Sequence, residues 1–310
     1  MTKRVAVLAF CAHNQGMEET LKTARLIDTG NVQLEYEDCG EGDVLVLLHG
    51  LGCSARDWGL QMPALSRHHR VIAPSLRGFG ESDSPSGPSS IMQYAEDVVA
   101  LLDALDIDRA HVFGHSMGGA VALQMAVAFQ PRLLSLIVVN AQASFALRDW
   151  RRYILLLMRF MAQGPAGMER LTRFLARRLF PHEHQRELRQ RMAKRYSTND
   201  RRAYLAALHA LAGWSVEDLV DRVRLPTLVL AGQYDVTPLE ESRAFTRKMA
   251  RASLKVVPDS GHATPFDQHD VVNDLVIDFL KTTRWARGEK TSPMVMSSSA
   301  FRHERRVRQR

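Results

Sequence analysis

The sequence predicts an α/β protein built on a mainly parallel sheet flanked by helices, with a helical cap inserted late in the chain. Three observations carry this. Short, wholly apolar runs alternate with helical stretches along most of the chain, as strands covered on both faces do. A strand–turn–helix signature stands in the middle, Val112-Phe113-Gly114-His115-Ser116-Met117-Gly118-Gly119-Ala120. The alternation then stops between residues 142 and 214, where apolar stripes at helical spacing sit among arginines.

Asn31 to Asp38 alternates like a half-exposed strand, and the Gly40-Glu41-Gly42-Asp43 turn leads to the apolar run Val44 to Leu48. That run ends in His49-Gly50-Leu51-Gly52, a glycine-rich turn able to aim a backbone N–H outward. A short helical stretch from Trp58 to Leu65 follows, then the strand Arg70 to Pro74 and a tight loop, Arg77-Gly78-Phe79-Gly80-Glu81-Ser82. Met92 to Leu105 reads as a helix, Arg109 to Phe113 as a buried strand, and Val121 to Phe129 as a helix that Pro131 helps to end. Leu133 to Val139 is a further β run. Within the cap, Tyr153 to Met161, Leu171 to Phe180 and Tyr204 to Leu211 supply the apolar stripes. The strand pattern restarts at Pro226 to Ala231, followed by a helix over Glu240 to Met249, a strand over Leu254 to Val257 and a closing amphipathic helix over Val271 to Leu280. The expected organisation is an N-terminal extension (1–28), a core in two parts (29–141 and 215–284), the cap (142–214) and a disordered basic tail (285–310).

The chain is 310 residues long with a formal net charge of +7, unevenly placed. Arg148 to Arg202 holds 15 Lys/Arg against 5 Asp/Glu, and Arg284 to Arg310 holds 8 against 2, so the remainder is acidic at −9. Cys11, Cys39 and Cys53 form an odd, sparse set without metal-ligand spacing, which favours a reducing, cytoplasmic setting and no disulfide framework. No apolar run approaches the roughly 20 residues of a membrane span. Val5 to Ala12 follows a basic start, but it is short for a signal peptide, and Phe10 is bulky before Cys11. The Arg302 to Arg310 tail has no interleaved aromatics beyond Phe301, so no specific nucleic-acid partner is expected.

The central signature fits Gly-x-Ser-x-Gly, in which a strand turns sharply into a helix and leaves the serine hydroxyl exposed. Gly114 and Gly118 remove side chains that would collide across so tight a turn. A serine is a weak nucleophile alone and needs a base oriented by a third group. Asp235, in Ala231-Gly232-Gln233-Tyr234-Asp235, and His262, in Asp259-Ser260-Gly261-His262, follow in the chain order serine, acid, histidine. Both lie in loops after predicted strands, at the carboxyl edge of the sheet. Ser116 would attack, His262 would carry its proton and Asp235 would orient the imidazole, while the N–H groups of Leu51 and Met117 would receive an oxyanion. The structural alternatives are a surface-loop histidine and an Asp235 that merely caps the helix near Pro238. Trp58 and His115 are expected beside the bound substrate, with His115 packing next to the turn rather than serving as a base. His68 and His69 read as a surface pair, His182-Glu183-His184 as an exposed loop without zinc-site spacing, and Cys53 as a small buried hydrophobe.

Together, His49-Gly50-Leu51-Gly52, Arg77-Gly78-Phe79-Gly80-Glu81-Ser82, the Gly114 to Gly119 elbow, Gly232-Gln233-Tyr234-Asp235 and Gly261-His262 resemble the α/β-hydrolase superfamily, over about Thr29 to Thr283. The chain looks most like its capped serine enzymes: 3-oxoadipate enol-lactonases, pimeloyl-carrier-protein methyl esterases and carbon-carbon bond hydrolases. The resemblance implies cleavage of a small-molecule acyl ester or lactone, with no metal or organic cofactor. Serine at position 116 argues against haloalkane dehalogenases and epoxide hydrolases, which use aspartate there. Many relatives carry aspartate where this chain has Ser75, a departure expected at most to loosen a structural contact without abolishing chemistry. The basic cap admits an acidic carrier protein, coenzyme A phosphates or an anionic surface as partner, which would make the chain a thioesterase or a carrier-linked ester hydrolase. A ligand receptor with a silent triad is the alternative from another class. The acyl group, the leaving group and the oligomeric state are not readable from the sequence.

Overall fold

The computed structural model describes residues 24–145, apart from 85, 86 and 88, and residues 167–286, apart from 181 and 182. Its strands are β1 (Arg25–Asp28), β2 (Gln33–Cys39), β3 (Val44–Leu48), β4 (Arg70–Pro74), β5 (Ala110–His115), β6 (Leu133–Val139), β7 (Thr227–Gly232) and β8 (Ala252–Val257). They form one sheet in the order β1-β2-β4-β3-β5-β6-β7-β8. The pairings of β1 with β2 and of β2 with β4 are antiparallel, and every later pairing is parallel.

The apolar runs make strands because both faces are covered. In β3, Val46 and Leu48 pack into one core cluster while Leu45 and Leu47 pack into another, the period-2 alternation of a strand between two layers. The first layer holds the helices α2 (Ile91–Ala104) and α3 (Met117–Ala128), and the second holds α1 (Met62–Leu65) and α9 (His269–Ala286). Helix α3 is buried along nearly its whole length, which explains why its sequence has no polar face. Ser90 starts α2, its hydroxyl accepting from the Gln93 N–H at 3.1 Å.

Between β6 and β7 the chain forms α4 (Gly167–Leu179), α5 (Arg186–Tyr196) and α6 (Arg201–Leu211). After β7 come α7 (Leu239–Lys248) and the short α8 (Thr264–Asp267). Helix α5 was not expected, because its sequence is mostly charged and offers no long apolar stripe. The helix expected over Tyr153 to Met161 lies outside the described residues, as do 1–23 of the expected extension and the tail from 287 onward. Residues 25–28 of that extension instead make β1, an edge strand on β2. His69 is a further correction: it is 3% exposed and stacks edge-on with His111 at 5.9 Å, whereas His68 is exposed as expected.

The order of strands decides where a site can form. The chain passes from β3 to β4 on one side, then returns to place β5 on the other side of β3. Loops leaving the carboxyl ends of β3 and β5 therefore diverge above adjacent strands and open a crevice. Those two loops carry Leu51 and Ser116.

Candidate active site

Ser116 sits between β5 and α3 with φ 54° and ψ −116°, a left-handed conformation that L-residues avoid. The neighbouring glycines are required by contact. A Cβ at Gly114 would run into the Gly118 carbonyl, one at Gly118 into the Leu48 carbonyl, and one at Gly119 would stand 2.5 Å from Ala141 Cβ. The Ser116 N–H donates to Val139 O at 2.9 Å, tying the turn to β6.

From this turn the serine hydroxyl meets the imidazole: Ser116 Oγ lies 2.9 Å from His262 Nε2. On the other side of the ring, His262 Nδ1 lies 2.7 Å from Asp235 Oδ1. Because a carboxylate only accepts, Nδ1–H donates to Asp235 and the Nε2 lone pair faces the serine O–H. The Asp235 side chain is 3% exposed, so this hydrogen bond is sheltered from water. Asp235 also accepts from the Thr237 N–H at 3.3 Å, so it caps its own loop as well as holding the ring. The loops themselves are joined by Tyr234 N–H to Ser260 O at 2.8 Å and Gln233 N–H to Val257 O at 2.9 Å.

Asn140 organises the same loops and was not foreseen from sequence. It follows β6 at φ 49° and is 2% exposed. Its amide donates to His262 O at 2.7 Å, Gly261 O at 3.1 Å and Thr264 Oγ1 at 2.6 Å, and its carbonyl accepts from Gly232 N–H at 2.8 Å. The one signal available was a polar residue directly after an apolar strand on the carboxyl edge. His115 supplies the second clamp: its Nε2–H donates to His262 O at 2.8 Å. His115 packs next to the turn as expected, but at 6% exposed it holds the backbone of His262 instead of lining a substrate surface. Burial, followed by the nearby His262, holds its pKa down from 6.5 to about 4, so it stays neutral near pH 7.

The loop after β3 packs onto the serine. A Cβ at Gly50 would lie 3.4 Å from Ser116 Cβ and 3.3 Å from His115 Nδ1. Cys53 N–H donates to Gly50 O at 3.1 Å, and Gly52 has φ 81°, which together describe a type II turn with Leu51 at its second position. The N–H at that position is not used by the turn's own hydrogen bond. Met117 is the first residue of α3, so its N–H has no intrahelical acceptor and stands at the positive end of the helix. Behind the turn, His49 is 1% exposed, donates from Nδ1 to Gly50 O at 2.8 Å and accepts the Leu76 N–H on Nε2 at 2.8 Å. Its pKa is also held down to about 4, chiefly by burial.

Two expectations are corrected here. Trp58 is 2% exposed and packs edge-on against Phe113 at 4.9 Å, inside the core cluster that α9 shares, so it is not an open pocket wall. Ser75 does not loosen the fold, because Glu35 reaches over from β2. Its carboxylate accepts from Ser75 Oγ at 2.7 Å, from Glu81 N–H at 3.1 Å and from Arg56 at 3.2 Å. Cys53 is buried as expected, but its sulfur lies 2.8 Å from the Tyr196 hydroxyl, so it is more than an apolar filler. Of the residues His182 to His184, His182 lies outside the described ones, and Glu183 pairs with Arg189 at 3.5 Å.

A family model described as the alpha/beta hydrolase fold matches residues 43–268. The chain belongs to the α/β hydrolase family. This hydrolase is 31% identical over 268 residues to a 2-hydroxy-6-oxo-2,4-heptadienoate hydrolase of Pseudomonas putida, covering 83% of the chain and 95% of the relative. It is 28% identical over 254 residues to 3-oxoadipate enol-lactonase 2 of Acinetobacter baylyi, covering 81% and 94%. Among solved structures, the enol-lactonase of Burkholderia xenovorans superposes with a TM-score of 0.76 at 26% identity, over 83% of this chain and all of that one. No helix among the described residues of this α/β hydrolase is long and apolar enough to cross a membrane.

Proposed function

We propose that this α/β hydrolase is a serine hydrolase that cleaves a carboxylic ester or lactone through an acyl-enzyme. The observation that carries the reading is the unbroken chain from Ser116 Oγ to His262 Nε2 at 2.9 Å and from His262 Nδ1 to Asp235 Oδ1 at 2.7 Å, at the tip of a strained turn. In this mechanism His262 Nε2 removes the Ser116 proton as Oγ attacks the substrate carbonyl. The imidazolium so formed is held by Asp235, and the carbonyl oxygen gains negative charge between the N–H groups of Leu51 and Met117. His262 then gives its proton to the leaving oxygen, and water repeats the sequence to free Ser116. His115, kept neutral by burial, adds no second positive charge beside the imidazolium.

Carbon-carbon bond hydrolysis is the second reading, favoured by the 31% identity to the Pseudomonas putida relative. A panel of p-nitrophenyl esters of increasing acyl length, run beside a 2-hydroxy-6-oxo-dienoate, separates the two. Ester turnover that disappears in Ser116→Ala, with a fluorophosphonate probe labelling only the wild type, is the expected result. Ester turnover that survives in Ser116→Ala would sink the serine mechanism, and turnover of the dienoate alone would move the assignment to the second reading.

A further inference from the structure

The last turn of α5 and the segment joining it to α6 reach the site from the side of the helical insertion, and the mechanism above makes no use of them. Asn199 Nδ2 donates to Gly52 O at 2.9 Å and to Tyr196 O at 3.2 Å. The Tyr196 hydroxyl meets Cys53 Sγ at 2.8 Å, with both residues buried. The Arg195 guanidinium donates to Asp57 Oδ2 at 2.8 Å and to Ser54 Oγ at 3.2 Å. Asp57 in turn accepts from the Ser54 N–H at 2.7 Å. Three side chains within five residues thus grip the stretch that begins directly after Leu51.

The turn needs such a grip. Leu51 lies between Gly50 and Gly52, and glycines on both sides leave the direction of its N–H undetermined by local sterics. On the core side the Gly50 carbonyl is held by His49 Nδ1–H and by Cys53 N–H, which turns the Leu51 N–H of the same peptide the opposite way. On the other side, Gly52 is boxed in by Tyr196, Asn199 and Tyr204, each 3.4 Å from where its Cβ would stand. The Leu51 side chain packs against Leu175, Tyr204 and Leu208 of the insertion.

We propose that Arg195, Tyr196 and Asn199 are positioning residues for the oxyanion site, holding the 50–53 turn so that the Leu51 N–H faces the oxygen that becomes charged when Ser116 attacks. The inference rests on the serine-hydrolase reading, and it makes the helical insertion part of the site rather than only a cover for it.

The test uses the full chain with Asn199→Ala, Tyr196→Phe, Arg195→Ala and Arg195→Lys. Arg191→Ala, on the same helix and paired with Glu187, is the control. Thermal melts come first, so that only folded variants are compared. The readouts are the rate constant for fluorophosphonate labelling of Ser116, the Ki of a trifluoromethyl ketone whose adduct carries an oxyanion, and kcat and KM on the best p-nitrophenyl ester. Loss of a whole oxyanion donor costs roughly 10²–10³ in kcat. Loosening one anchor of the turn should therefore lower kcat and labelling about 10-fold and weaken the ketone by a similar factor, with KM within about two-fold. Arg195→Lys should recover most of the Arg195→Ala loss, and the control should not change. Folded Asn199→Ala and Arg195→Ala variants with wild-type labelling and ketone affinity would overturn the positioning role and leave the serine mechanism standing. A loss confined to KM would overturn it equally. A wild-type chain that the probe does not label would overturn both.

Discussion

Replacing Asn140 by alanine tests the architecture of the site most directly. The side chain is 2% exposed and makes four hydrogen bonds. Three of its partners keep another bond after the change: His262 O retains His115 at 2.8 Å, Gly261 O retains Thr264 Oγ1 at 3.0 Å, and Thr264 Oγ1 retains Ser260 Oγ at 2.7 Å. The Gly232 N–H has no second acceptor among the described hydrogen bonds and would be orphaned, at about 1–3 kcal/mol. Alanine must also hold φ 49°, which asparagine tolerates better, at a further cost of about 1 kcal/mol. A total near 3 kcal/mol corresponds, for a chain of this size, to a Tm lower by roughly 4–6 °C. Catalysis should fall further than stability, because half of the clamp on the His262 carbonyl is gone and a displacement of about 1 Å can cost about 10²-fold. Urea unfolding gives the stability and the p-nitrophenyl ester assay gives kcat. Asn140→Gly, which adopts the left-handed backbone freely, should recover about 1 kcal/mol over alanine without restoring kcat. An alanine variant within 1 kcal/mol of wild type and fully active would refute the account of Asn140 as the joint between the two loops.

Three further outcomes follow from the same geometry. Ser116→Gly should be more stable than Ser116→Ala by about 1–2 kcal/mol in chemical denaturation, because the left-handed strain at φ 54° is relieved only by glycine, and equal stabilities would remove the strain argument. His49 and His115 stay neutral in the folded chain down to about pH 4 while their unfolded forms protonate near 6.5, so the unfolded state binds more protons between those values. Stability should consequently fall as pH drops from about 6.5 towards 4, by up to about 1.4 kcal/mol per pH unit for each group, with a shallower slope in His49→Gln; a flat profile from pH 7 to 5 would contradict this. If the exposed Arg177, Arg178 and Arg186 of the insertion dock an acidic carrier, turnover of a carrier-linked ester should drop steeply with salt while a small neutral ester is unaffected, and equal salt responses would exclude that partner.

Much of the molecule was legible because its signals are local. Apolar runs such as Val44 to Leu48, bounded by turn signals and too short for a core helix, read as strands covered on both faces. Gly114, Ser116 and Gly118 mark the turn because any larger residue at either glycine strikes backbone. The order of Ser116, Asp235 and His262 along strand-following loops is enough to set all three on one sheet edge. What stayed hidden depends on side chains reaching across the fold. Arg25–Asp28 has too few apolar residues to announce a strand and becomes one only because the edge of β2 is open. Trp58 reads as a pocket wall, and only the fold shows that it packs on Phe113 in the core. Ser75 reads as a missing carboxylate, and only the register of β2 against β4 brings Glu35 close enough to replace it. Asn140 sits about 120 residues from the loop that it holds, and Asn199 about 150 from the turn that it grips. The sequence by itself determined the layered α/β architecture and the three groups of the hydrogen-bonded Ser116–His262–Asp235 chain, because hydrophobic period and turn sterics act between near neighbours. Only the tertiary structure decided which residues hold those groups in place, because hydrogen-bond partners are chosen by distance in space, which no local pattern encodes.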